Sequence, residues 1–238
     1  MKSMPMAKIA AIIPAAGQGR RMGDQGNKLL LELAGIPILV YTLSIFEACP
    51  LVSEIVIPTA PQDIPAIQKI VKAHGFKKVN SIVEGGSERQ ESVARALTAL
   101  SPFIAKVVVH DGARPLLTLA ELEAFLREAE ACQAAIMAVP LKDTVKRVDE
   151  RGWVVETPPR ENLRAVQTPQ FFDRPLLEKV HKLAEAEGYS ATDDAALMEW
   201  QGYPVKIIPG SYENLKITTP EDLLLAEIIL QKRKERDS

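Results

Sequence analysis

The residues best suited to chemistry gather in loops that follow short apolar runs. The first is Pro14-Ala15-Ala16-Gly17-Gln18-Gly19-Arg20-Arg21-Met22-Gly23, continuing to Asn27-Lys28. Small residues and three glycines let backbone N–H groups approach a phosphate closely, while Arg20, Arg21 and Lys28 supply positive charge. Two familiar glycine patterns fail here. Gly17-x-Gly19-x-x-x-Gly23 is one residue longer than the dinucleotide fingerprint, and Pro58-Thr59 stand where an acid would hold a ribose. Lys28 follows Asn27 and precedes Leu29, which is not the Gly-Lys-Ser/Thr of a P-loop. What remains suits a triphosphate, whose roughly four negative charges need several cations, helped by Mg2+. The bland alternative is a turn whose arginines are solvated.

Other loops extend the list. Gly85 to Ser92 (GGSERQES) sets two glycines and two serines at a helix start, where they suit a base edge. Ser87 and Gln90 also have the spacing of a capping box, which accounts for neither Arg89 nor Ser92. His110-Asp111-Gly112-Ala113-Arg114-Pro115 puts an acid at the tip of an apolar run, to hold a metal or a hydroxyl or to pair with Arg114. Thr192-Asp193-Asp194 reads as a ligand group or as a helix cap with dipole-favoured acids.

Elements must place these loops side by side. Strands are expected over Lys8–Pro14, Glu54–Pro58, Lys78–Val83, Lys106–His110, Ala134–Pro140 and Pro204–Pro209. Helices are expected over Ile38–Ala48, Gln62–His74, Ser87–Leu100 and Thr118–Ala131, with Thr118 and Glu121 as a capping box. A last helix begins at Thr219-Pro220-Glu221-Asp222. Apolar strands alternating with helices predict an α/β fold, a mostly parallel twisted sheet with helices on both faces. Ligands then bind beyond the carboxyl ends of the strands, where these loops lie. Asp143–Asp149 and Trp153–Glu156 break the rhythm around Glu150-Arg151-Gly152 and read as a β-hairpin. Such a ribbon is marginal alone, so it is either an antiparallel annex or an arm packed on a second subunit.

Composition excludes several classes. The 238 residues carry 29 Lys+Arg against 31 Asp+Glu, a net charge of −2, which argues against binding nucleic acid through bulk charge. With 47% hydrophobic and 25% charged residues, disorder and disulfide scaffolds are out. Two cysteines, Cys49 and Cys132, read as thiols in a reducing compartment, and three histidines lie too far apart in sequence for a zinc site. The apolar run after Lys8 breaks at Pro14, too short for a membrane span and better read as a buried strand than as a signal peptide. A cytoplasmic protein is expected.

Taken in order, PAAGxGRRMG followed by NK, then GGxxRxxSV, VHDGARP, DTVK, TPQ, TDD and ENLKITTPEDL span nearly the whole chain. Together they resemble the 2-C-methyl-D-erythritol 4-phosphate cytidylyltransferases of non-mevalonate isoprenoid biosynthesis; ribitol-5-phosphate cytidylyltransferases are the nearest competitor. The resemblance implies a Rossmann-like nucleotidyltransferase fold in one domain over residues 1–238, with a protruding dimerisation arm at about 141–165. It implies a reaction of CTP with a sugar-alcohol phosphate to give a CDP-alcohol and pyrophosphate. Arg21 and Lys28 match the catalytic pair. Ala15, Ala16, Gly17, Gly19, Gly86 and Ser92 match the CTP-binding positions. Asp111, Thr144, Arg160, Thr168, Thr192 and Lys216 match the acceptor-binding positions. Thr144 and Arg160 fall on the arm, which in this family crosses to the partner, so a homodimer with composite active sites is implied. Counting back from Thr168 selects Arg160 over Arg164 for the acceptor phosphate. Mg2+ is expected to be held mainly through the CTP phosphates, with Asp111 as the one candidate protein ligand.

Overall fold

The structure is a computed structural model that describes residues 8–17 and 26–236. Strand β1 (Ile9–Ile12) is buried along its whole length. Its side chains alternate between two layers, Ile9 and Ala11 into one core and Ala10 and Ile12 into the other, so both faces need cover. A two-residue turn at Ala34-Gly35 joins the short strands β2 (Glu32–Leu33) and β3 (Ile36–Pro37). Helix α1 (Ile38–Ala48) has the bounds expected of it. Then follow β4 (Val52–Thr59), α2 (Ile64–His74), β5 (Val79–Glu84), α3 (Arg89–Thr98), β6 (Lys106–Val109), α4 (Leu119–Ala129) and β7 (Ala134–Pro140). Thr118 and Glu121 form the expected capping box at α4.

The box expected at Ser87 and Gln90 does not form. Helix α3 starts two residues later, after Glu88, without a side-chain cap. Glu91 draws off Ser87 by accepting both its N–H and its hydroxyl, and Gln90 donates instead to the Tyr189 carbonyl.

Beyond β7 the chain forms the ribbon β8 (Arg147–Val148) and β9 (Val154–Glu156), then β10 (Arg164–Asp173), α5 (Arg174–Glu187), α6 (Asp194–Trp200), β11 (Lys206–Pro209) and α7 (Pro220–Arg236). The main sheet runs β11-β7-β10-β6-β1-β4-β5, and β10 alone is antiparallel to its neighbours. The sheet is thus mostly parallel, as expected. Helices α1 and α4, with Ile67 of α2 and Ala226 of α7, cover one face; α3, α5 and α6 cover the other.

Helix α5 was not anticipated, and α6 only through the cap reading of Thr192-Asp193-Asp194, in which Asp193 accepts the Ala196 N–H; nor did the hydrophobic pattern mark β10 as a strand. The middle of β10 reads Gln167-Thr168-Pro169-Gln170, polar and interrupted by proline, which is poor material for an inner strand. The register with β7 shifts between Val166 and Gln170, so the proline sits where ladder bonds are absent. Each buried polar side chain there finds a partner. Gln167 donates to the Ser211 carbonyl, Thr168 meets His110, and Gln170 donates to Asp193. Because β10 runs backwards, this polar segment lies at the carboxyl end of β6.

The ribbon forms a separate two-stranded sheet, closed by Asp149, whose carboxylate accepts the Arg151 and Trp153 N–H groups. Every residue from Lys146 to Thr157 is exposed, including Val148, Trp153, Val154 and Val155. Among the described residues no helix is long and apolar enough to cross a membrane.

Candidate active site

Loops leaving β1, β5 and β6 surround a cavity of about 220 Å3, closed on another side by Lys28 and Lys216. Asn27 sets the position of Lys28. Its amide donates to the Ala15 carbonyl at 2.8 Å and to Asp63 at 2.9 Å, while its oxygen accepts the Leu29 N–H at 3.0 Å. This buried staple joins the start of the glycine loop to its end. The adjoining Lys28 Nζ donates to the Ile217 carbonyl at 2.9 Å, next to Lys216. Lys28 and Lys216, from opposite ends of the chain, thereby place their ammonium groups on one cavity.

The Gly85-Gly86 turn is held by Ser92, whose Oγ accepts the Gly86 N–H and donates to the Glu88 carbonyl. A Cβ at Gly85 would stand 2.9 Å from both Ala16 Cβ and Ser92 Oγ, so a bulkier residue would push the two loops apart.

Asp111 occupies the tip of β6. Its Oδ1 accepts from Arg89 Nε at 3.3 Å, and its Oδ2 lies 2.8 Å from Lys216 Nζ and 3.9 Å from Arg114 Nε. Burial alone would raise its pKa, but Arg89 and Lys216 outweigh that and hold the carboxyl well below the usual range. Arg89 donates through Nη1 to the buried Asp194 at 2.7 Å. Behind Asp111, a buried chain of hydrogen bonds sets the loop. The Asp111 N–H donates to Thr168 Oγ1, which bonds His110 Nδ1, while His110 Nε2 meets the Arg114 carbonyl. Donation from Nε2–H and acceptance at Nδ1 is the tautomer that satisfies both ends. Asn214 completes the wall, donating to the Thr168 carbonyl and accepting from Arg114 through its own.

Of the residues expected at the site, Ala16, Gly17, Lys28, Gly86, Ser92, Asp111 and Lys216 line this cavity. Thr168 lies one hydrogen bond behind it, and buried Ala15 supports it through its carbonyl. Thr192 is exposed beside Asp193, the cap of α6, and is not in the cavity wall. Thr144 and Arg160 are exposed on the arm, with the Arg160 guanidinium on the Lys142 carbonyl. Arg164 is exposed at the start of β10. Arg21 and Gly19 lie outside the described residues. Sequence reasoning missed the work of Asn27, His110, Asn214 and Asp194; the one available signal was Arg89, which no cap explained.

The donor set also bears on Mg2+. Among the described residues no three His, Cys, Asp or Glu side chains cluster as a metal cage. Asp111 already holds cations on both oxygens, so a resident ion bound by this carboxylate does not fit.

An open α/β sheet with a glycine turn and paired cations at its carboxyl end defines a nucleotide-handling protein of the nucleotidyltransferase class. Residues 9–232 match the family model described as "IspD: 2-C-methyl-D-erythritol 4-phosphate cytidylyltransferase". A protein of that name from Halalkalibacterium halodurans is 48% identical over 227 residues, covering 95% of this chain and 99% of its own length. One from Pelotomaculum thermopropionicum is 47% identical over 232 residues, covering 97% and 98%. The crystal structure of 4-diphosphocytidyl-2C-methyl-D-erythritol synthase from Anaerococcus prevotii superposes with a TM-score of 0.84 at 33% identity, covering 96% of this chain and 100% of that one. A Thermus thermophilus 2-C-methyl-D-erythritol 4-phosphate cytidylyltransferase gives 0.77 at 34% identity, covering 94% and 99%. The chain belongs to the 2-C-methyl-D-erythritol 4-phosphate cytidylyltransferase family.

His110 gives the site a pH signature. Full burial pushes its pKa down from the ordinary 6.5 to about 4. The unfolded chain therefore binds this proton more tightly, and stability falls as pH drops below 6.5, by about 3 kcal/mol near pH 4. Urea midpoints across this range should show that slope, and His110→Gln should flatten it. A profile identical in both proteins would contradict the assignment.

Proposed function

We propose that this chain transfers the cytidylyl group of CTP to 2-C-methyl-D-erythritol 4-phosphate, giving 4-diphosphocytidyl-2-C-methyl-D-erythritol and pyrophosphate. The observation that carries this reading is the convergence of Lys28 and Lys216 on one cavity beside Asp111. In this reaction an oxygen of the acceptor phosphate attacks the α-phosphorus of CTP, and the bond from that phosphorus to the α,β-bridging oxygen breaks. The acceptor phosphate is already ionised, so no general base is required. The obstacle is bringing two anions together and spreading charge over five-coordinate phosphorus, which fixed cations do well.

Lys28, with Arg21, serves the α-phosphate in this reading. The Ala15–Gly17 backbone, Gly19, Gly86 and Ser92 receive the nucleotide, with the rigid Gly86 turn suited to the base. Lys216, Asp111, Thr168 and Thr192 form the acceptor side. Mg2+ accompanies CTP on its phosphates and supplies charge neutralisation there. We take the cytoplasm as the compartment, where the free thiols of Cys49 and Cys132 stay reduced.

A panel of acceptors with CTP and Mg2+, read by pyrophosphate release, should show turnover with methylerythritol phosphate. Equal turnover with ribitol phosphate would contradict that choice of acceptor. Lys28→Ala should lower turnover roughly 10²–10³-fold while weakening CTP binding less. Unchanged turnover would remove Lys28 from the chemistry and favour a binding module.

The arm at 141–165 serves the partner of a homodimer in this proposal, with Thr144 and Arg160 reaching the neighbouring acceptor site. Its support is the exposed row Val148, Trp153, Val154 and Val155, which would be covered in such a pair. Deleting residues 143–156 should yield monomers with poor acceptor binding. Dimers persisting in sedimentation would refute the arm.

A further inference from the structure

Neither the glycine turn nor the start of α3 uses Arg89, yet this side chain joins the cavity to the protein interior. Its guanidinium bridges two carboxylates, Nε to Asp111 at 3.3 Å and Nη1 to Asp194 at 2.7 Å. Asp194 is 1% exposed and is not the cap of α6, since Asp193 accepts the Ala196 N–H. Its other oxygen meets His181 Nε2 of α5 at 3.1 Å. Arg89 of α3 and His181 of α5 thus converge on one carboxylate, that of Asp194 in α6.

A buried carboxylate needs paired charge to stay ionised. Burial pushes Asp194 up, and Arg89 with His181 more than reverses this, keeping it an anion. A planar guanidinium serves two carboxylates in fixed directions at once; an ammonium does not. The pull from Asp194 therefore fixes the direction from which Arg89 meets Asp111, and so which oxygen is left for Lys216.

We propose that Arg89 is a positioning residue, anchored by Asp194, which orients the Asp111 carboxylate so that its second oxygen holds Lys216 in place for the acceptor phosphate. This rests on the acceptor role given to Lys216 above.

Steady-state kinetics of Arg89→Lys, Asp194→Asn and the double variant test it, with melting curves to report folding. In Arg89→Lys, the acceptor KM should rise about tenfold while the CTP KM stays within about twofold. Asp194→Asn should move the acceptor KM in the same direction, and the double variant should be no worse than Arg89→Lys alone. Effects that multiply would show that Asp194 does not act through Arg89. A lower melting temperature with both KM values unchanged would reduce the pair to a structural role and overturn the proposal. If one single variant fails to fold, the other decides. An unaltered chain without turnover fails the functional reading and this inference with it; an active chain whose variants keep their KM values fails this inference alone.

Discussion

A carboxylate sealed inside a protein must find cations, and Asp111 is such a carboxylate. Desolvating it is unfavourable by several kcal/mol unless partners compensate. Here Arg89, Lys216 and Arg114 do so, each from a different part of the chain. Satisfying one buried acid thus draws the start of α3, the loop before α7 and the loop after β6 to a single point. Arg89 and Lys216, together with Lys28, line the space where anionic substrates would meet. The near-neutral total charge hides this concentration.

Topology makes the convergence achievable. Parallel β1, β5 and β6 deliver their loops to the same end of the sheet, and antiparallel β10 returns its polar segment to that end from the other direction. Thr168 can then brace the Asp111 backbone while Asn214 braces Thr168. The segment from Ser211 to Thr219 closes the cavity through Lys216 and receives Lys28 on the Ile217 carbonyl. Much of the site is therefore held by backbone carbonyls and buried amides, groups whose positions the fold determines.

Much of this was legible in the sequence, for identifiable reasons. Strands buried on both faces announce themselves as unbroken apolar runs, and the Gly85-Gly86 and Ala15–Gly17 loops by their small residues. Helices α1 and α4 followed from periodicity and, at Thr118, from capping chemistry. The polar inner strand β10 was illegible, because its polar side chains are satisfied by the His110 ring, the Asp193 carboxylate and the Ser211 carbonyl, which lie far away in sequence. The same holds for Arg89, whose two carboxylates are 22 and 105 residues distant. Local pattern shows which groups are present; only the folded chain shows which of them meet.

The claim that Asp111 organises the acceptor side is tested most directly by the acceptor KM of Asp111→Asn at saturating CTP. If the carboxylate holds Lys216 and Arg89 in place, the acceptor KM rises by about tenfold or more despite the added net positive charge. If the cations act only as a diffuse attraction for phosphate, removing an anion leaves the KM unchanged or lowers it, and the account is contradicted.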